Sequence, residues 1–185
     1  SAFFDKGPKF RHYDPGRAIL TGVEVDHADI FSDLDHIKKA FSTFVSGLRS
    51  DTTLLAYQPD INVDHVIRTA PCKVYRYGNH GGDWAIQPVR IDPPWTFFDV
   101  SRSHDHYGRF QTPMPGEHNL FNTLAAIAVA DGLNIPRQTI QEALKSFRGV
   151  KRRQEIRGTK NGIIVIDDFA HHPTAVRETL EAVKS

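Results

Sequence analysis

One cysteine, Cys72, is all this sequence carries. No internal disulfide can form, which suits a reducing compartment such as the cytoplasm. No apolar run approaches the length of a membrane span. The opening Ser1-Ala2-Phe3-Phe4-Asp5 has no basic segment of the kind that begins a signal peptide. Neither sign of charge is in excess: 23 Lys and Arg stand beside 22 Asp and Glu, a formal net charge of +1. That balance argues against nucleic-acid or membrane-surface binding, which needs a basic face. Motifs are missing too. The sequence holds no G-x-x-x-x-G-K-[ST] phosphate loop, no G-x-S-x-G elbow, no H-E-x-x-H helix and no cysteine zinc site. No repeat, heptad run or low-complexity segment interrupts it. Ten histidines are present, but no ligand triad stands out among them.

What is present describes a folded α/β chain. Hydrophobic residues make up 39% and charged residues 24%, enough to bury a core. Residues 17–23 read as a buried strand. Ser32 with Asp35 resembles a capping box, and Leu34, Ile37, Phe41, Phe44, Val45 and Leu48 keep helical spacing after it. A short strand over 52–57 and a short helix over 63–70 follow. Residues 73–77, 84–91, 96–102 and 107–114 alternate and are rich in β-formers, the later ones reading as antiparallel strands. Helices are expected from 117 to 132, with Gly132 at the C-terminal end, and from Pro136 onward. Arg148 to Arg153 is basic and contains Gly149, so it is the best linker candidate. A strand–strand–helix unit follows.

Four stretches could carry chemistry. Ile163-Ile164-Val165-Ile166 reads as a strand buried on both faces. Asp167 and Asp168 end it, and His171-His172-Pro173 opens a helix, with proline suited to its first position. Val176, Leu180 and Val183 give that helix an apolar face. Ligands in open α/β sheets bind beyond the carboxyl ends of strands, so Asp168 is placed to take ribose hydroxyls and His171 to face phosphate. A capped helix start is the plainer alternative, with His172 meeting free N–H groups. In Gly116-Glu117-His118-Asn119-Leu120-Phe121-Asn122, the side chains of His118, Asn119 and Asn122 share roughly a 100° arc of a helix. An imidazole and two carboxamides there suit a heterocycle such as adenine; an ordinary wet helix face is the alternative. Glu24-Val25-Asp26-His27-Ala28-Asp29 could ligate magnesium or simply cap the next helix. Lys151-Arg152-Arg153 offers guanidinium forks for phosphate or carboxylate, or a solvated basic linker.

In this order and spacing, these stretches resemble the Mur ligases, the ATP-dependent amide ligases of peptidoglycan synthesis. Asp167-Asp168-Phe169-Ala170-His171-His172-Pro173-Thr174 and Ala2-Phe3-Phe4-Asp5-Lys6 carry most of the resemblance. Glu24-x-Asp26-His27-Ala28-Asp29, Gly116-Glu117-His118-Asn119 and Arg152-Arg153 add to it. Residues 50–110 contribute least. The resemblance leans toward the branch that recycles murein. That branch joins UDP-N-acetylmuramate to the tripeptide L-Ala-γ-D-Glu-meso-diaminopimelate. The relatives that add L-alanine, which share His-His-Pro-Thr, are the alternative. A nucleotide-binding domain without catalysis is a third reading.

The resemblance implies an α/β fold in two parts. Residues 1–148 would be the C-terminal part of a central ATPase domain, a mixed sheet with helices. Residues 149–185 would be the first strands and helix of a Rossmann-like C-terminal domain. ATP and Mg2+ are the implied cofactors. His27 matches the magnesium ligand, and His118, Asn119 and Asn122 match the helix start that contacts ATP. Arg153 matches the arginine that reaches the phosphates, Asp168 the ribose carboxylate, and His171 a residue near the reacting groups. Gly22 departs from the usual asparagine. The phosphate loop and a second metal ligand are expected upstream of Ser1, so residues 1–185 alone are not expected to catalyse ligation.

Overall fold

The computed structural model of the protein describes residues 8–25 and 33–184. The chain forms two compact units, Ser1–Ala85 with Arg102–His104, and Ile86–Ser101 with Asp105–Ser185.

The first unit is built on three parallel strands in the order β1 (Arg17–Leu20), β2 (Thr53–Gln58), β3 (Lys73–Gly78). Arg17 pairs with Thr53, and Thr53 with Lys73. Leu54, Leu55 and Ala56 are buried in succession, as a strand covered on both faces requires. Between β1 and β2 runs α1 (Leu34–Ser46), which buries Ile37, Ala40 and Val45. Those side chains form a core with Leu20, Val23, Leu54, Val63 and Val66. Phe10 stacks on Phe41 at 4.7 Å between ring centroids and meets Phe44 edge-on at 5.3 Å. The cap of α1 is Asp33, whose carboxylate accepts from the His36 N–H at 2.8 Å. Ser32, the expected cap, lies outside the described residues.

The expected helix over 63–70 starts earlier. It is α2 (Ile61–Val66), continued by a 3-10 turn at Ile67–Thr69. Asp60 sets its start by accepting from the N–H groups of Asn62 at 2.8 Å and Val63 at 3.1 Å. The other Asp60 oxygen accepts from Val23 N–H at 3.3 Å, and Asn62 Nδ2 donates to Val23 O at 3.0 Å. One aspartate thus ties the chain leaving β1 to the start of α2. Gly22 is not forced to be glycine by crowding: a Cβ there would meet Asp60 Oδ2 at 3.8 Å.

The second unit holds most of the meander of β4 (Trp84–Asp92), β5 (Trp95–Arg102) and β6 (Asp105–Thr112). Two-residue connections at 93–94 and 103–104 join them, a spacing that antiparallel neighbours allow and parallel ones do not. Thr96, Phe98 and Val100 alternate inward on β5, as Gly108, Phe110 and Thr112 do on β6. Arg109 grips Asp99 across the ladder at 2.8 and 3.0 Å. These hydrogen bonds hold the Asp99 carboxyl below its ordinary range.

Next comes α3 (Glu117–Gly132), which buries Leu120, Leu124, Ile127 and Ala128 as its spacing predicts. Its end differs from expectation. Gly132 is the last helical residue, and the left-handed position is Asn134, at φ 59°. Asn134 N–H bonds to Asp131 O at 2.8 Å and Ile135 N–H to Ala130 O at 3.0 Å. That is the pair of bonds by which a Schellman motif satisfies the last carbonyls of a helix. From its cap at Pro136, α4 (Arg137–Ser146) buries Ile140.

An antiparallel ribbon of β7 (Glu155–Lys160) and β8 (Ile163–Asp167) follows, turning at Asn161-Gly162, both in the left-handed region. Asn-Gly is the strongest short hairpin signal in a sequence. The expectation that 163–166 is buried on both faces is corrected here: Ile163 is 68% exposed and Ile164 56%. The ribbon has two strands, too few to cover its own faces. The final helix, α5 (Pro173–Lys184), also differs. Val176, Leu180 and Val183 are exposed, and Ala182 is its buried residue. Among the described residues no helix is long and apolar enough to cross a membrane.

Candidate functional site

Six of the seven site residues named from the sequence lie in the second unit, five of them around two element ends, the start of α3 and the end of β8. Gly116 precedes α3 with φ 93° and ψ 145°, a backbone region reserved for glycine. His118 and Asn119 sit half-buried in the first turn of α3, and Asn122 is exposed one turn on. Asn119 Nδ2 donates to Pro115 O at 2.7 Å and to Gln154 Oε1 at 3.2 Å. His118 Nε2 lies 3.4 Å from Gln154 Nε2, and its Nδ1 lies 3.9 Å from Glu178 Oε2 on α5. That Nδ1 is buried without a hydrogen bond. Burial lowers the His118 pKa below the ordinary value, with Glu178 and Asp168 partly opposing it.

Asp168 stands where β8 ends. Its Oδ1 accepts from Ala170 N–H at 2.8 Å. Its Oδ2 accepts from Gln154 N–H at 3.1 Å and Thr179 Oγ1 at 3.2 Å. Three donors from separate segments therefore fix this carboxylate. His171 is exposed, with Nδ1 at 2.9 Å from Phe169 O. A carbonyl only accepts, so Nδ1 carries the proton. His172 has the structural role foreseen for it: its Nδ1 accepts from Thr174 N–H at 3.3 Å at the start of α5.

Arg153 is exposed in the turn before β7. Its N–H donates to Val150 O at 3.1 Å. Both neighbours hold left-handed backbone, Arg152 at φ 59° and Gln154 at φ 51°, and Gly149 does so at 80°. Arg152 lies over the Phe169 ring at 4.6 Å, and its carbonyl accepts from Phe169 N–H at 2.8 Å. The basic turn is thereby tied to the Asp-Asp-Phe-Ala-His-His segment. His27 lies outside the described residues. Among the described residues no cluster of His, Cys, Asp and Glu is arranged to hold a metal ion.

Sequence reasoning missed Gln154, Glu178 and Thr179. Gln154 touches His118, Asn119 and Asp168. Nothing in its own neighbourhood marks it beyond the two arginines before it. Glu178 and Thr179 lie on α5, and helical spacing after Pro173 was the only signal for them.

Residues 7–130 match the Mur ligase middle domain, and residues 152–185 match the Mur ligase, glutamate ligase domain. The chain belongs to the Mur ligase family. Among its relatives is the UDP-N-acetylmuramate–L-alanine ligase of Clostridium botulinum strain Hall. It is 38% identical over 176 residues, which cover 95% of this chain and 38% of the relative. A murein peptide ligase from Psychrobacter arcticus 273-4 is 35% identical with a TM-score of 0.73, covering 98% of this chain and 37% of that one. The UDP-N-acetylmuramate-alanine ligase of Thermotoga maritima is 26% identical with a TM-score of 0.79, covering 97% and 40%. The chain thus spans 38–39% of the length of the first curated relatives it matches. The α/β fold and the family expected from the sequence are both borne out.

Proposed function

We propose that the whole protein is an ATP-dependent ligase that forms an amide between UDP-N-acetylmuramate and the amino group of an L-alanyl compound. The finer reading is the tripeptide L-Ala-γ-D-Glu-meso-diaminopimelate, and the protein works in the cytoplasm. One observation carries the nucleotide site: hydrogen bonds through Gln154 join His118 and Asn119 at the start of α3 to Asp168 at the end of β8. Support for the substrate class comes from the names of the similar ligases.

The chemistry follows from the weakness of a carboxylate as an acyl electrophile. The γ-phosphoryl of ATP is transferred to a carboxylate oxygen, and ADP leaves. The amine then attacks the acyl carbon, and inorganic phosphate leaves with that oxygen as the amine gives up a proton. Negative charge concentrates in both steps, so cationic groups are needed where it develops. Arg153, exposed at the turn, would meet the phosphates, and His171 would present its Nε2 toward the reacting groups. His118, Asn119 and Asn122 would hold the base and Asp168 the ribose. Magnesium supplies charge neutralisation when bound, and His27 is the ligand the resemblance assigns to it. Residues 1–148 would belong to the central domain and 149–185 to the C-terminal one, with the turn around Gly149 as the hinge that closes the site against water.

A second reading, L-alanine itself as acceptor, is favoured by the curated relatives. Phosphate release by the whole protein decides between them, with ATP, magnesium, UDP-N-acetylmuramate and either acceptor. Turnover with the tripeptide and not with L-alanine supports the finer reading. Turnover with L-alanine alone replaces it by the second, and turnover with neither sinks both.

A further inference from the structure

Gln154 was not marked by any motif, yet it is the residue through which the candidate site is connected. Its contacts fix which atom is which. Asn119 faces Pro115 O at 2.7 Å. A carbonyl only accepts, so the atom of Asn119 there is the amide nitrogen. The second hydrogen of that nitrogen points to Gln154 at 3.2 Å, so the facing atom of Gln154 is its oxygen. The remaining Gln154 atom is then the nitrogen, which only donates, and it lies 3.4 Å from His118 Nε2. His118 Nε2 therefore accepts, and the imidazole proton sits on Nδ1, on the side of Glu178. The backbone N–H of the same Gln154 holds Asp168 at 3.1 Å.

We propose that Gln154 is a positioning and specificity residue of the nucleotide site. It fixes His118 as the neutral Nδ1–H tautomer, and it takes up the second donor of Asn119. With both Asn119 donors engaged, its Oδ1 is the group left for a ligand. An acceptor suits the exocyclic amino group of adenine and opposes the carbonyl that guanine carries at the same ring position. An imidazolium at His118 would set two donors face to face, and turning the Gln154 amide to relieve that would break its bond to Asn119. The three groups thus hold one another in a single arrangement. This inference rests on the nucleotide-site reading above.

Two substitutions in the whole protein separate the parts. Gln154→Glu keeps an acceptor for Asn119 but removes the donor facing His118. The His118 proton should then move to Nε2, read from 15N shifts of the histidine ring, while the preference for ATP over GTP is kept. Gln154→Leu removes both contacts. KM for ATP should rise about 3- to 10-fold, the effect of one or two lost hydrogen bonds, and the ATP-to-GTP preference should fall with kcat little changed. Thermal unfolding checks that each variant is folded; if Gln154→Leu is not, the His118 tautomer in Gln154→Glu decides. A His118 Nε2 that stays unprotonated in Gln154→Glu overturns the proposal, as does an unchanged nucleotide preference in a folded Gln154→Leu. Asp168→Ala tests the underlying site separately. If it leaves KM for ATP unaltered while the tautomer still responds to Gln154→Glu, the nucleotide reading fails and only the positioning of His118 by Gln154 stands.

Discussion

Replacing Gly116 by alanine should be among the most damaging single-methyl changes in the second unit. Two effects add. The backbone at φ 93° and ψ 145° lies where only glycine is at ease, and another residue there costs about 1–3 kcal/mol. The added Cβ would also lie 2.6 Å from Ala182 Cβ on α5 and 2.9 Å from His118 Cε1. Carbon atoms in comfortable contact are about 3.5–4.0 Å apart, and forcing a methyl into such a site costs about 1–3 kcal/mol more. The sum, about 2–6 kcal/mol, is a large share of the roughly 5–15 kcal/mol that holds a typical domain together. Urea unfolding of the wild type, Gly116→Ala, Ala182→Gly and the double variant measures it. Ala182→Gly alone should lose about 0.5–1 kcal/mol of helix stability. In the double variant the Ala182 contact is gone, so the two losses should fall short of adding by about 1 kcal/mol. The backbone cost and the His118 contact should remain. A Gly116→Ala protein within about 0.5 kcal/mol of wild type would refute the argument. Strict additivity in the double variant would refute the part that assigns the clash to α5.

Three further outcomes are expected. Burial lowers the His118 pKa, so between the folded value and the ordinary one near 6.5 the folded state binds fewer protons than the unfolded. The corresponding stability is complete above that ordinary value and is lost as pH falls through the folded one; urea unfolding at pH 7.5 and 5 should show a smaller acid loss for His118→Gln than for wild type. Asp60→Ala removes the acceptor shared by Val23, Asn62 and Val63. It should lose about 1–2 kcal/mol in thermal unfolding, with Asp60→Asn in between, because its one amide oxygen can serve Asn62 and Val63 while its NH2 would face the Val23 N–H; an unaltered melting point for Asp60→Ala would count against that capping role. Gly149 holds φ 80°, which proline cannot adopt, so Gly149→Pro should reduce turnover of the whole protein. Unchanged turnover would remove the hinge.

The helices and central strands were legible because their apolar spacing is local. Leu34 to Leu48 and Leu120 to Ala128 each mark one helix face, and Leu54 to Ala56 mark a strand covered on both sides. What spacing does not state is which surface receives an apolar face. Ile163, Ile164 and Leu180 have the pattern of buried positions and are exposed, because the pattern describes what a segment can bury and not what lies over it. Caps failed by small margins for a related reason. Asp33 and Asn134 do what Ser32 and Gly132 were expected to do, since several residue types can accept from a free N–H or hold a left-handed turn. At the candidate site, Asn119 and Asp168 were visible as polar residues at element ends. Gln154 was invisible because its partners are 35 residues back and 14 ahead, and a bridge of that kind exists only once the chain has folded.

The turn before β7 has a consequence for how this protein responds to selection for heat resistance. Arg152 and Gln154 hold left-handed backbone without being glycine or asparagine, at about 1–2 kcal/mol each. A search for hardier variants should therefore return glycine at 152 and 154 early. Each such variant would melt higher and also lose a side chain that ties the turn to Phe169, His118 or Asn119. At these two positions thermal robustness and a well-ordered pocket pull in opposite directions, and the residues present mark the side on which the compromise was struck.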